Sequence, residues 1–480
     1  MEQIITKAKR LSNITVLLLL AAPFVVLSYM LYAFNPANAD NTPLYVVLLI
    51  ADTIGIFSIM GLWFTILFDI VVPDHHSALK TATKSKFLTK KKSVDVLITY
   101  AGEPLEKLEQ TTRAARDMEY PHKTFILDDK KSDEAKALAK KLGVGYVTRE
   151  INEYFKSGNV NNALKTTSRS EFFVILDCDM IPAKNFLTKT LPYMEDQKVA
   201  MVQTPQSYTN TEHFIASGAS QSQDVFYGYV MPSKNLSNSA FCVGTNMVFR
   251  RSAIDQIGGI ASLTHSEDIW TSLRLHEAGF RTIYLNEVLV KGEAPDSVRS
   301  YSKQQERWAK GGFSMLFTKN PLFIKNLSLD QKIQYFISNT HYLTGITILA
   351  YLLFPIIYLL FEAKPLKADN NSVWAFHYLP YVFFYYVLNF ILMGGLKIST
   401  LSVAIASYFP YIKAMISTLM GEKDVWNVTG QKGSKVEASM KWLWPHYMII
   451  ILTLFSLVIG WYNPIDLSLI HISEPTRQAE

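Results

Sequence analysis

Apolar residues are unevenly spread along this chain. Long uncharged runs gather towards both ends, and between them lies a middle in which short apolar runs alternate with polar stretches. Ile14 to Phe34 carries no charge and has about the length a helix needs to cross a hydrocarbon core, roughly 20 residues. A second run, Leu44 to Val72, is interrupted by Asp52, an acid that is costly in lipid unless another helix or the headgroup region partners it. Three more runs can cross, Ile337 to Phe361, Trp374 to Leu396 and Trp442 to Trp461, each bounded by interface-seeking aromatics, so five spans are expected.

Charge orients these spans. Lys7, Lys9 and Arg10 precede the first, Lys80, Lys84, Lys86 and Lys90 to Lys92 follow the second, and the intervening "NPANAD" has no Lys or Arg. The positive-inside bias therefore places the N-terminus and the middle of the chain in the cytoplasm. No cleaved signal peptide is expected, because the first run is long and a second follows it closely. Leu401 to Met420 is apolar but broken by Pro410 and Lys413; if it crossed, Lys423, Lys432, Lys435 and Lys441 would lie outside, so a helix in the cytoplasmic interface is expected. The expected organisation is two spans in 1–75, a soluble domain in 76–325, an interfacial helix and two spans in 326–400, an interfacial helix and loop in 401–440, a span in 441–462 and a tail in 463–480.

From Ser93 to about Leu285, "VDVLIT", "TFILDD", "VGYVT" and "FFVILDCD" alternate with helical stretches beginning near Leu105 and Ser132. That is the pattern of βαβ units and a mostly parallel, Rossmann-like sheet, whose ligands sit at the carboxyl ends of the strands. Asp128 and Asp129 end one strand, and Asp177 and Asp179 end another. Spaced two apart in extended chain, Asp177 and Asp179 project to one face and can reach one hard cation, although acids often just end a strand in a turn. "HSEDIWTSLRLHEAGF" reads as a helix that Ser266 could cap, with Asp268 in its first turn either serving the helix dipole or facing the cleft as a general base. "YSKQQERWAKGGFS" sets Gln304, Arg307 and Trp308 beside Gly311 and Gly312 on a segment too charged to enter lipid; it suits a diphosphate and a flat sugar ring, or an interfacial helix with a Trp anchor. The two glycines are expected to let the backbone turn towards the membrane.

Composition excludes more than it assigns. Of 480 residues, 49% are hydrophobic and 18% charged, which fits membrane spans around a soluble domain. Cys178 and Cys242 form neither a disulfide framework nor a metal-ligand pattern, and a net charge of +6 without a dense basic run gives no nucleic-acid surface.

In this order, "TYAGEP", "ILDD", "KSGNVNNAL", "DCD", "QTPQ", "FCVGT", "SED" and "QQERW" resemble the processive family 2 glycosyltransferases, the cellulose, curdlan, chitin and hyaluronan synthases, and are most similar to bacterial cellulose synthase catalytic subunits. The resemblance runs from about Ser93 to about Trp461 and implies an α/β GT-A domain docked under a transmembrane channel. It implies that Tyr100 and Glu103 hold the uridine, that Asp129, with Asp128 beside it, faces the nucleotide, and that Lys156 lies near the diphosphate. Asp177 and Asp179 match the acids that contact the donor and hold Mg2+ or Mn2+. "SED" stands where the family has T-E-D, making Asp268 the base with Glu267 beside it; Phe241, Cys242, Gly244 and Thr245 hold the acceptor end, Val243 being an addition to the family's F-C-G-S. Gln304 and Arg307 face the donor and Trp308 the acceptor sugar. "VWNVTGQKGSK" resembles the family's gating loop, with Trp426, Val428, Thr429 and Lys432 in its positions and one residue inserted before Lys432.

The implied protein is a multi-pass hexosyltransferase of the cell membrane that polymerises a hexose from a UDP-sugar, UDP-glucose into a β-glucan such as cellulose, and passes the polymer across the bilayer, where Phe383, Tyr385 and Tyr386 offer either stacking surfaces or, as such aromatics do more often, helix packing. Its partners are the donor, the growing polysaccharide, the lipid bilayer and an accessory export subunit, with no nucleic acid. A hyaluronan- or chitin-type synthase would use UDP-GlcNAc or UDP-GlcA instead, and a polysaccharide transporter without catalysis would explain the spans but not "DCD" with "QQERW". Cellulose synthases have one more span and then a cytoplasmic β-barrel that reads cyclic-di-GMP, and neither is found in this sequence; "SLIHISEPTRQAE" looks like translated sequencing-adapter read-through, so a non-native tail over 463–480 and a truncated natural chain are expected.

Overall fold

The computed structural model describes residues 12–71, 92–262, 266–367, 371–421 and 437–462. The basic residues Lys7 to Arg10 and Lys80 to Lys90, the gating-like Trp426, Val428, Thr429 and Lys432, and the tail lie outside them.

Among the described residues five helices are long and apolar enough to cross a membrane: Asn13–Ala33, Thr42–Leu67, Leu329–Phe361, Ser372–Met393 and Trp442–Tyr462. The first two lie in helices α1 (Asn13–Ala33) and α2 (Thr42–Val71). Asp52 of α2 is buried, and both its oxygens are used: Tyr29 of α1 donates to Oδ2 at 2.8 Å and Tyr351 donates to Oδ1. The acid is thus tolerated because neighbouring helices bring two phenols to it.

Between the second and third of these helices, strands β1 (Val94–Tyr100), β2 (Lys123–Asp128), β3 (Gly145–Val147), β4 (Phe172–Asp177), β6 (Val199–Gln203), β7 (Met247–Arg250) and β8 (Arg281–Tyr284) form one sheet in the order β3-β2-β1-β4-β7-β6-β8; β5 (Ile181–Pro182) and β9 (Val290–Lys291) pair separately. Every residue of β1 is buried, as befits a central strand covered on both faces. Helices α3 (Leu105–Arg116), α4 (Asp133–Leu142) and α5 (Phe155–Thr166) alternate with the first four strands, and Ser132 caps α4 by accepting from the Ala135 N–H at 3.3 Å. Asp95 looks like the polar half of an alternating strand but is buried; its Oδ2 accepts from Ser168 Oγ at 2.7 Å and from the N–H groups of Arg169 and Ser170, fixing the turn into β4.

All pairings in the large sheet are parallel except those of β7, which runs antiparallel to both β4 and β6. Met247 at the start of β7 lies opposite Ile175, so residues 241–246 arrive at the same sheet edge where Asp177 leaves. The alternation of runs along the sequence does not predict this reversal. Asp177 and Asp179 are also not successive residues of one extended strand: β4 ends at Asp177 and the Met180 N–H closes a turn onto the Asp177 carbonyl at 3.1 Å.

Next come α6 (Phe214–Val225), α7 (Glu267–Glu277), α8 (Val298–Thr318) and α9 (Leu329–Thr340), the last running through one 3-10 turn into α10 (Thr344–Phe361). Helix α11 (Asn371–Met393) ends before two glycines of positive φ, and α12 (Ile398–Ala406), α13 (Tyr408–Leu419) and α14 (Glu437–Tyr462) complete the chain. The broken segment 401–420 is therefore two short helices; α13 packs along α8, with Tyr411 donating to Gln305 Oε1 at 3.0 Å and Lys413 paired to Glu306 at 2.9 Å.

Two expectations are corrected in α7 and α8. Ser266 precedes α7 but its hydroxyl makes no capping bond, and Gly311 and Gly312 lie inside α8, which does not turn there. They permit close approach: a Cβ on Gly311 would fall 1.9 Å from Ser266 Oγ, and one on Gly312 2.8 Å from the Tyr342 ring. Gly311→Ala is accordingly expected to lower stability by about 1–3 kcal/mol, with recovery on adding Ser266→Gly, as read by thermal unfolding in detergent.

Candidate active site

The strand ends deliver the acids, and local bonds decide which remain available to a ligand. Asp128 is fully buried and occupied: its carboxylate accepts from the N–H groups of Lys130, Lys131 and Ser132 and, at 2.8 Å, from Tyr146 Oη. Asp129 forms a two-point pair with Arg149, Nε to Oδ1 at 2.7 Å and Nη2 to Oδ2 at 2.8 Å. Arg149 also donates to the carbonyls of Glu153 and Phe155, fixing a turn in which Tyr154 and Phe155 take positive φ and from which Lys156 emerges. Sequence reasoning missed Arg149, because a lone loop arginine gives no signal until its partners are placed.

Tyr100 ends β1, and Glu103 comes three residues later in a tight turn, its Oε2 accepting from the Ala101 N–H at 2.8 Å. Burial, helped by Asp177, raises the Glu103 carboxyl above its usual range. Lys156 donates to Asp177 Oδ1 and, at 2.6 Å, to the Gly244 carbonyl. Thr99 Oγ1 donates to the same Asp177 oxygen at 3.1 Å, and the Asp177 N–H donates to Thr245 Oγ1 at 3.0 Å. Asp179 forms no ion pair among the described residues; burial and the neighbouring Asp177 push its carboxyl up to about 7, and Lys107 offsets this only in part. Two carboxylates that destabilise each other's charge at a strand tip are the hard oxygen donors a divalent cation fits. Among the described residues no third His, Cys, Asp or Glu completes a protein-only metal cluster there.

On the other wall, Asp268 stands in the first turn of α7, its Oδ1 accepting from the Ile269 N–H at 2.8 Å. Burial, followed by the Glu267 charge, raises its carboxyl to about 7, against the lowering pull of the Ile269 N–H, Arg307 and Lys156. Glu267, Asp268, Lys156 and Gly244 line one small cavity. Gly244 has φ +89°, and a Cβ there would sit 3.4 Å from Asp268 Oδ2. The 241–245 loop thus joins the two walls: Thr245 bonds Asp177, Gly244 bonds Lys156, and Gly244 lies against Asp268.

That loop is held from below. Cys242 is buried, and its N–H donates to Ser272 Oγ at 2.7 Å; Phe241 packs against Tyr335 and Phe226. Gln203 donates to the carbonyls of Thr204 and Thr245 and accepts from the Val243 N–H at 3.1 Å, while Gln206 donates to the Val243 carbonyl at 3.0 Å. The added Val243 is accommodated through its main chain. "QTPQ" thus supplies both loop supports, a role that sequence spacing alone leaves unassigned.

Helix α8 adds the third side. Arg307 is half-buried and acts on Asp268 electrostatically, Trp308 beside it is half-buried, and Gln304 Oε1 is buried with no hydrogen-bond partner among the described residues. An unpaired buried acceptor at such a place suits a ligand hydroxyl.

Comparison with known proteins finds a family and relatives to which the chain is similar. Residues 172–392 match the family described as "Glycosyl transferase family group 2". The chain is 33% identical over 293 residues to the "Cellulose synthase catalytic subunit [UDP-forming]" of Pseudomonas fluorescens (strain SBW25), a match covering 59% of this chain and 40% of that one. It is 27% identical over 456 residues to "Putative cellulose synthase 2" of Komagataeibacter xylinus, covering 92% of this chain and 29% of the relative. The chain thus spans less than half the length of either relative. Among solved structures it resembles the mannosyltransferase PcManGT from Pyrobaculum calidifontis in complex with GDP-Man and Mn2+, at 14% identity and a TM-score of 0.49, covering 77% of this chain and 100% of that one. Residues 172–392 thus carry a family 2 glycosyltransferase domain, and the chain is related to the bacterial cellulose synthases.

Proposed function

We propose that this protein transfers a hexose from a UDP-sugar, with inversion, to the end of a growing polysaccharide, and that the donor is UDP-glucose and the product a β-glucan passed across the membrane. The observation that carries this reading is the 241–245 loop, which touches both the Asp177 network and Asp268 and so sets a donor wall and a base on either side of one cleft. The relatives' names supply the sugar and the nucleotide.

In this reading Tyr100 and Glu103 border the nucleotide, and Lys156 and Arg307 hold the diphosphate by charge-assisted hydrogen bonds. Asp177 and Asp179 would hold Mg2+ or Mn2+, which offsets the charge of the leaving diphosphate. Asp268 takes the proton of the acceptor hydroxyl, whose oxygen then attacks the anomeric carbon from the face opposite the departing UDP. Trp308 offers its ring to the acceptor sugar, and the 241–245 loop keeps that sugar in attacking position.

Asp268→Asn is expected to reduce UDP release from UDP-glucose in membranes by about 10²–10⁴-fold while UDP still binds in calorimetry; polymer formed at the wild-type rate would remove Asp268 as the base. Because the base must be ionised and its carboxyl is raised to about 7, UDP release should climb as pH rises through that value. The same raised carboxyl contributes stability that is lost as pH rises through about 7, so thermal stability should move opposite to activity. Chelation should stop UDP release and Mn2+ restore it, with Asp179→Asn raising the Mn2+ needed for half-maximal activity by about 10-fold.

A further inference from the structure

The short helix Met231–Leu236 carries an amine that the chemistry above leaves unused. Lys234 is 1% exposed, and burial pushes its amine down to about 7. Among the described residues no carboxylate faces it. Its Nζ donates to the Gln334 carbonyl at 2.8 Å and to Gln334 Oε1 at 2.9 Å, and lies 5.8 Å from the centre of the Phe241 ring. Gln334 belongs to α9, and its Oε1 also accepts from Thr65 of α2 at 3.1 Å. Helices α2 and α9 meet closely here, since a Cβ on Gly61 would fall 2.9 Å from Ile337. The other titratable groups nearby are phenols and one imidazole: Tyr229 on the preceding turn, Tyr284 on β8, Tyr335 on α9, and His276, which is bonded to Tyr335 at 2.9 Å.

A buried amine without an anion is expensive, and apolar residues of similar volume commonly replace such groups with no loss of stability. A stability role alone therefore explains Lys234 poorly. Its position explains it better: the side chain touches the first residue of the 241–245 loop on one side and, through Gln334 and Thr65, the membrane helices on the other.

We propose that Lys234 is a positioning residue that ties the 241–245 loop to α2 and α9, keeping the polymer's acceptor end in place between successive additions. The inference rests on the transferase reading, in which that loop holds the acceptor. A loop loosened from below would still let the donor be cleaved but would release the acceptor more often, so product length is the affected quantity.

Lys234→Met in nanodiscs tests it. Mean product length is expected to fall about threefold, as the loss of one cation–ring contact implies, with UDP release falling by a smaller factor, and the amides of 241–246 to exchange faster in hydrogen–deuterium exchange. Thr65→Val, which removes only the link to α2, should show the same split in smaller measure. Wild-type product length and wild-type loop exchange in Lys234→Met, at equal or higher Tm, would overturn the proposal and leave a structural role. If the wild-type protein released no UDP from any UDP-sugar, the transferase reading would fail, while loop exchange would still decide whether Lys234 holds the loop.

Discussion

The Lys156 amine stands between the Asp177 carboxylate and the Gly244 carbonyl, and the shape of the cleft depends on that placement. Burial alone would lower its pKa, but Asp177 and Glu267 outweigh burial and hold it raised, so the cation persists. One charge therefore joins the end of a parallel strand to a loop entering an antiparallel one. Without it, Asp177 would lose the cation that balances its carboxylate, and Gly244 would lose the bond that ties its carbonyl to that strand end.

Much of this was legible along the chain, and the reasons differ by element. The long apolar helices and the first βαβ units follow from hydropathy and alternation along the chain. The candidate acids were legible because an apolar run such as "FFVIL" buries the strand and leaves the next polar residues at its tip. The hidden features were long-range. No local pattern announces that β7 reverses direction, that Asp95 faces inward to bond a turn, or that Gly311 is needed for contact with Ser266 rather than for a bend. Asp128 and Asp129 look alike in sequence, yet the first is saturated by its own turn and the second by Arg149, a difference created wholly by folding.

Buried polar groups mark where this chain departs from ordinary core packing. Asp52, Asp95 and Lys234 are each nearly inaccessible, and each is surrounded by donors or acceptors from other elements. Satisfied in this way, such groups specify one register among several that apolar contact alone would accept.

The continuity of α9 and α10 carries a mechanical corollary. The helical stretch Leu329–Phe361, interrupted by only one tighter turn, begins with residues bonded to the α/β domain and carries on through the stretch apolar enough for lipid. Lys234, Asn238 and His276 all fasten to its first half. Tilting or lifting the α/β domain would therefore have to carry α10 with it, so the height of the cleft and the position of that apolar helix are set together.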